Sequence, residues 1–138
     1  ILAAMQTAAL SGVDVRLMIP ARSDAMIVHS ASISYVMETL EAGVKVYLYE
    51  AGFNHSKLLV SDDSISTCGS TNVDFRSFEH DFESNIFFYD EGMALRMKSV
   101  FLADQEHCQL IEDVRKVEGR SFLRRLWESL LRIFSPLM

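Results

Sequence analysis

Residues 55–72 read HSKLLVSDDSISTCGSTN. Two short β-prone runs, Lys57–Ser61 and Ser66–Gly69, flank the turn-forming pair Asp62-Asp63, so the stretch reads as two strands joined tightly. On a strand, residues two apart share a face, which sets His55 and Lys57 side by side. An imidazole beside a fixed ammonium suits a phosphoryl group: a ring nitrogen attacks phosphorus while the lysine balances charge on the oxygens. Ser70 and Asn72, also two apart, can donate hydrogen bonds to phosphate oxygens. Gly69 lets that backbone come close. Glu83 is placed to accept from the second ring nitrogen of His55 and fix its tautomer.

Working outward, strand and helix patterns alternate. Met5–Leu10 reads as the end of a helix stopped by Ser11-Gly12, and Val13–Ile19 as a strand ended by Pro20. Ala25–Glu41 carries apolar residues at a helical period, with Gly43 as its stop. Val44–Tyr49 is a second strand, rich in β-branched and aromatic residues. This strand-helix-strand order implies a parallel unit and an α/β sandwich. Ser84–Tyr89 reads as a further strand after a polar loop from Asn72 to Asp81. Glu91–Val117 reads as one long, mostly helical segment broken at Gly119.

The chain has 138 residues, 49% of them hydrophobic, which suits one globular domain with a substantial core. It opens ILAAMQTAAL without an initiator methionine, as expected of a fragment or processed product. The net charge is -6 and uneven: residues 1–90 hold five basic and twelve acidic side chains, the remainder eight and seven. An acidic first part argues against nucleic acid as a partner, since that needs a basic footprint. Cys68 and Cys108 are expected as unpaired thiols. No apolar run approaches the ~20 residues of a membrane-spanning helix.

The order His55-x-Lys57-x4-Asp62-x6-Gly69-Ser70-x-Asn72 resembles the signature of the phospholipase D superfamily at every named position. The flanks VDVRLMIP, SYVMETLEAGVKVYLYEAGFNHSKLLVSDD and STNVDFRSFEHDFESNIFFYD are similar to the C-terminal catalytic half of bacterial cardiolipin synthases. One departure is visible: Asp81 stands where the family's N-F-E segment has Asn. The resemblance implies a phospholipase D-like α-β-α sandwich with a mixed central sheet flanked by helices. Residues 1–119 would form the half-domain and residues 120–138 an amphipathic helix of the same domain.

The resemblance also implies a mechanism. His55 would form a covalent phosphohistidine, or act as general acid if the other half supplies the nucleophile. Lys57, Ser70 and Asn72 would hold the phosphate, Asp62 would support through charge or orientation, and Glu83 would buttress the histidine. No metal and no other cofactor is required. The expected activity is phosphatidyl transfer between two phosphatidylglycerols, giving cardiolipin and glycerol, on the cytoplasmic side of a bacterial membrane. A superfamily hydrolase, phospholipase or nuclease, is one alternative, and a non-catalytic interaction module is another. Family sites pair two such motifs, and His29, His80 and His107 each lack the following lysine. The partner is therefore an N-terminal half with a second motif, or a second copy in a homodimer.

RSFLRRLWESLLRIFSPLM, from Arg120 on, has a logic of its own. At ~100° per residue, Phe122, Leu123, Leu126, Trp127, Leu130, Ile133 and Phe134 share one half of the wheel, opposite Arg124, Arg125, Glu128 and Arg132. Such a helix either lays Trp127 on anionic lipid at the membrane surface or covers the sheet. Arg76 meets either a lipid headgroup phosphate or its acidic neighbours Asp74 and Glu79. Phe75, Phe78 and Phe82 either touch acyl chains or anchor their loop.

Overall fold

The computed structural model describes residues 1–21, 38–73 and 75–111, the side chains of Phe75 and Arg76 excepted. The expected helix over Ala25–Glu41 falls outside the described residues up to position 37, and residues 38–41 are helical. The segment from residue 112 on, with Trp127, and the Arg76 side chain also lie outside them. The elements run α1 (Leu2–Leu10), β1 (Arg16–Pro20), β2 (Lys45–Tyr49), β3 (Leu58–Ser61), β4 (Ile65–Gly69), α2 (Phe75–Glu79), β5 (Asn85–Phe88), α3 (Glu91–Gln105) and β6 (Cys108–Ile111). The mixed α/β architecture expected from the sequence is borne out, its described strands shared between two three-stranded sheets.

Two compact units carry these sheets: Ile1–Phe53 with the chain from Cys108 on, and Asn54–His107. In the first, β1 and β2 pair in parallel, Arg16 beside Lys45 through Pro20 beside Tyr49. This is the parallel pairing expected of the strand-helix-strand order. Gly12 and Gly43 both adopt positive φ, 87° and 92°, which ends the helical segments before these strands at no steric cost. Val44 and Val46 form the buried centre, packed by Met5 and Ala9 of α1 and by Val15, Leu17, Ile19, Leu40 and Ile111.

The long, mostly helical segment expected from Glu91 to Val117 divides, among the described residues, into a helix and a strand. Asp90 caps α3, its Oδ1 accepting from the Met93 amide at 2.7 Å. The helix then closes at Gln105 through tight bonds from Glu106 and His107 to the carbonyls of Ala103 and Asp104. Cys108–Ile111 leaves as β6 and pairs antiparallel with Tyr49–Val46 of β2. The reason is non-local: β2 offers an open edge far away in sequence, and a ladder there outweighs weak local helical preference.

Parallel register sets the cations Arg16 and Lys45 next to each other. Asp14 reconciles them, accepting from Arg16 Nε at 3.0 Å and Nη2 at 2.7 Å and from Lys45 Nζ at 2.7 Å. The hydrogen bonds from Arg16, then from Lys45, lower the Asp14 carboxyl from 3.8 to about 2. A depressed carboxylate adds stability that is complete above its unfolded value and is lost as pH falls from 3.8 toward about 2. The cluster is half exposed, so water screens it and the contribution stays below about 1 kcal/mol. Asp14→Asn should therefore lower the urea midpoint slightly at pH 6, by an amount that shrinks as pH falls from 3.8 toward about 2. A deficit as large at pH 2 as at pH 6 would rule out the ionised bridge as its cause.

In the second unit β3, β4 and β5 pair antiparallel in that order, and α3 packs on β3 and β4. Alternation puts Leu58, Val60, Ser66, Cys68 and Phe88 on the more buried side of this sheet. Leu59, Ile65 and Phe87 lie on the other face and are exposed. Neither Cys68 nor Cys108 is in a disulfide.

Candidate active site

An up-down-up sheet brings the start of β3, the end of β4 and the start of β5 to one end. The residues read into the phosphate chemistry, Asp62 excepted, sit on these three approaches. His55 and Lys57 lead into β3, Ser70 and Asn72 leave β4, and Glu83 leads into β5. The Gly69 amide donates to the Lys57 carbonyl at 3.2 Å, and Gly69 stands opposite Asn85 across the next ladder. Topology thus gathers in space what the sequence spreads over 29 positions, from His55 to Glu83.

His55 is exposed and Lys57 half-buried. The Lys57 ammonium curls back onto the backbone two residues before it, donating to the His55 carbonyl at 2.9 Å. Asn54 was not read as part of the site. Its Oδ1 accepts from the Ser56 amide at 2.9 Å, an Asx-type bond that holds the backbone on both sides of His55. The signal was present in the dipeptide before the motif: an Asn able to bond two residues ahead.

Ser70 is the most connected member. Its hydroxyl donates to Glu83 Oε2, its amide donates to the Ser84 carbonyl at 3.0 Å, and its oxygen accepts from the Ser84 amide at 3.0 Å. Glu83 is therefore engaged from the Ser70 side, a link the sequence reading did not include. Asn72 aims its amide at the buried Ser77 of α2 across 3.4 Å, a long, weak contact that leaves donor capacity. The short helix α2 lies inside the segment read as a polar loop. Phe78 within it and Phe82 beyond it are exposed, so neither anchors the loop by burial.

Asp62 stands apart. It follows Ser61 at the other end of β3, roughly 16 Å along the strand from Lys57 at ~3.3 Å per residue. Asp62 and Asp63 both take positive φ, 51° and 56°, and Ser64 N–H bonds the Ser61 carbonyl at 3.2 Å. That is the primed hairpin turn, which favours residues tolerant of left-handed backbone. Asp62 accepts from the Ser61 hydroxyl at 3.0 Å, and both Asp63 oxygens meet Lys98 of α3, at 2.7 and 2.8 Å. The motif aspartate thus shapes the hairpin tip.

Among the described residues no group of three or more His, Cys, Asp and Glu is placed to hold a metal ion. Nor is any described helix long and apolar enough to cross a membrane.

The family model for the cardiolipin synthase, PLD-like domain matches residues 1–105. The chain belongs to that family. As a PLD-like domain it is 44% identical over 137 residues to the cardiolipin synthase of Clostridium perfringens (strain SM101 / Type A), covering 99% of this chain and 29% of that protein. It is 46% identical over 138 residues to the cardiolipin synthase of Geobacillus kaustophilus, covering 100% of this chain and 27% of that one. The PLD-like domain thus spans less than a third of the length of these relatives. Its fold is also that of Nuc from Salmonella typhimurium, a phospholipase D family member. The TM-score is 0.70 at 19% identity, over 82% of this chain and 74% of that one.

Proposed function

We propose that this PLD-like domain supplies one histidine-lysine half of a phosphatidyltransferase site that makes cardiolipin from two phosphatidylglycerols at the bacterial membrane surface. The observation that carries the reading is the convergence of His55 and Lys57 with Ser70, Asn72 and Glu83 at one end of the β3-β4-β5 sheet. A ring nitrogen of His55 bonds to the phosphorus of one phosphatidylglycerol as the bond to its glycerol headgroup oxygen breaks. That oxygen takes a proton from a second histidine and leaves as glycerol. The hydroxyl of a second phosphatidylglycerol returns the proton, bonds to phosphorus and breaks the phosphorus–nitrogen bond. Lys57 and the Asn72 amide offset charge on the phosphate oxygens throughout. Asp62 acts by holding the turn of the hairpin.

The described residues hold one such motif, so the second histidine comes from a further segment of a longer chain or from a second copy. The 138-residue chain by itself is accordingly expected to have little or no transferase activity. The test is to incubate the full-length protein with phosphatidylglycerol vesicles and separate the products by thin-layer chromatography. Cardiolipin with glycerol supports the proposal. Phosphatidic acid alone would make the protein a hydrolase, and no product would favour an interaction module.

A further inference from the structure

Asn85 belongs to none of the phosphate-holding residues above, yet it is laid over them. It stands opposite Gly69 in the β4-β5 ladder. Gly69 has no side chain, and the Asn85 carboxamide occupies that space: a Cβ on Gly69 would run into Asn85 Oδ1. The other end of the same amide, Nδ2, donates to Thr71 Oγ1 at 2.5 Å. Glu83, Ser84 and Asn85 therefore grip Ser70 and Thr71 in succession. Glu83 takes the Ser70 hydroxyl, the Ser84 backbone bonds both the Ser70 amide and its hydroxyl oxygen, and Asn85 takes the Thr71 side chain. Thr71 lies between Ser70 and Asn72, so a rotation of its backbone would shift the Ser70–Glu83 bond and re-aim the Asn72 amide at once.

The geometry points to Asn85 as a positioning residue for the Ser70–Asn72 arc, acting through the hydroxyl of Thr71. The inference rests on the phosphatidyl-transfer reading above, and gives that site a part which neither the motif nor its spacing contains. Asn85 is exposed, so its bond to Thr71 competes with water and contributes little to stability. Its effect falls on placement, where an error of about 1 Å costs on the order of 100-fold in rate.

The experiment uses the full-length protein with Asn85→Ala, Thr71→Val, the double variant and Thr71→Ser. For each, kcat and KM for phosphatidylglycerol are measured, with the dissociation constant of tungstate as a phosphate mimic and the melting temperature. Asn85→Ala and Thr71→Val should each lower kcat/KM by about 10- to 100-fold and weaken tungstate, with melting temperature unchanged. The double variant should be no worse than the worse single one, because both remove one bond. Thr71→Ser, which restores the oxygen, should recover most of what Thr71→Val loses. A silent Thr71→Val, additive losses, or losses that track a fallen melting temperature would overturn the assignment. So would failure of the unmodified protein to bind tungstate. If the unmodified protein binds tungstate but transfers no phosphatidyl group, the reaction reading fails, and the tungstate affinities still decide the role of Asn85.

Discussion

Replacing His55 by Asn in the full-length protein should remove phosphatidyl transfer by on the order of 10⁴-fold or more. Asn keeps polarity and approximate size but has no ring nitrogen to bond phosphorus or pass a proton. Among the described residues of the site none substitutes: Lys57 donates to the His55 carbonyl, and Ser70 gives its hydroxyl to Glu83. Whether His55 serves as nucleophile or as general acid, one of the two proton and phosphorus transfers is lost. His55 is exposed, so the folded state should change by no more than about 0.5 kcal/mol. Radiolabelled phosphatidylglycerol turnover, with a thermal melt as control, checks both halves of the statement. Turnover above a tenth of the parent value would sink the role given to His55.

Gly69→Ala should be nearly as damaging, and for a different reason. A Cβ there would overlap Asn85 Oδ1 and the Ser84 carbonyl, and would stand 2.7 Å from Asn85 Cα. The amide could swing aside, but the backbone of β5 cannot move without breaking the ladder that places Glu83 and Ser84. Two effects compete in the sign of the stability change. Alanine lowers the entropy of the unfolded chain, worth about 0.4–1 kcal/mol in favour of folding where the site accepts it. Overpacking against backbone costs about 1–3 kcal/mol, so destabilisation wins. The displaced Ser70 and Asn72 should then lower kcat/KM by about 100-fold even in the folded fraction. Urea unfolding and steady-state kinetics on one preparation separate the two losses. A stabilised Gly69→Ala protein would show that the strands have room to part.

Much of this was legible in the sequence, and the gaps have physical causes. Strands β1 to β5 announce themselves by β-branched and aromatic runs between glycines and turn residues, and each lies within a few residues of its expected place. His55, Lys57, Ser70 and Asn72 are legible as a set because their alternation is local. What could not be read is pairing across distance. Cys108–Ile111 looks like the continuation of α3 until the open edge of β2 is known. Glu83 was expected to serve His55, and its bond to Ser70 depends on the register of β4 against β5. Asn85 was invisible for the same reason, since its importance lies in the glycine opposite it. The distance of Asp62 from the other polar residues follows from strand length, which fixed spacing conceals.

That spacing has a consequence of its own. The four residues between Lys57 and Asp62 are Leu58–Ser61, the whole of β3. The interval is a ruler: one end sets the lysine, the other the turn that Asp63 fastens to Lys98. With the turn fastened, one inserted residue would send His55 and Lys57 to the opposite face of the sheet. Two would restore the face but carry both about 6.6 Å past Gly69. Length variants of this protein should therefore fall in the connections and spare this strand, whatever happens to its side chains.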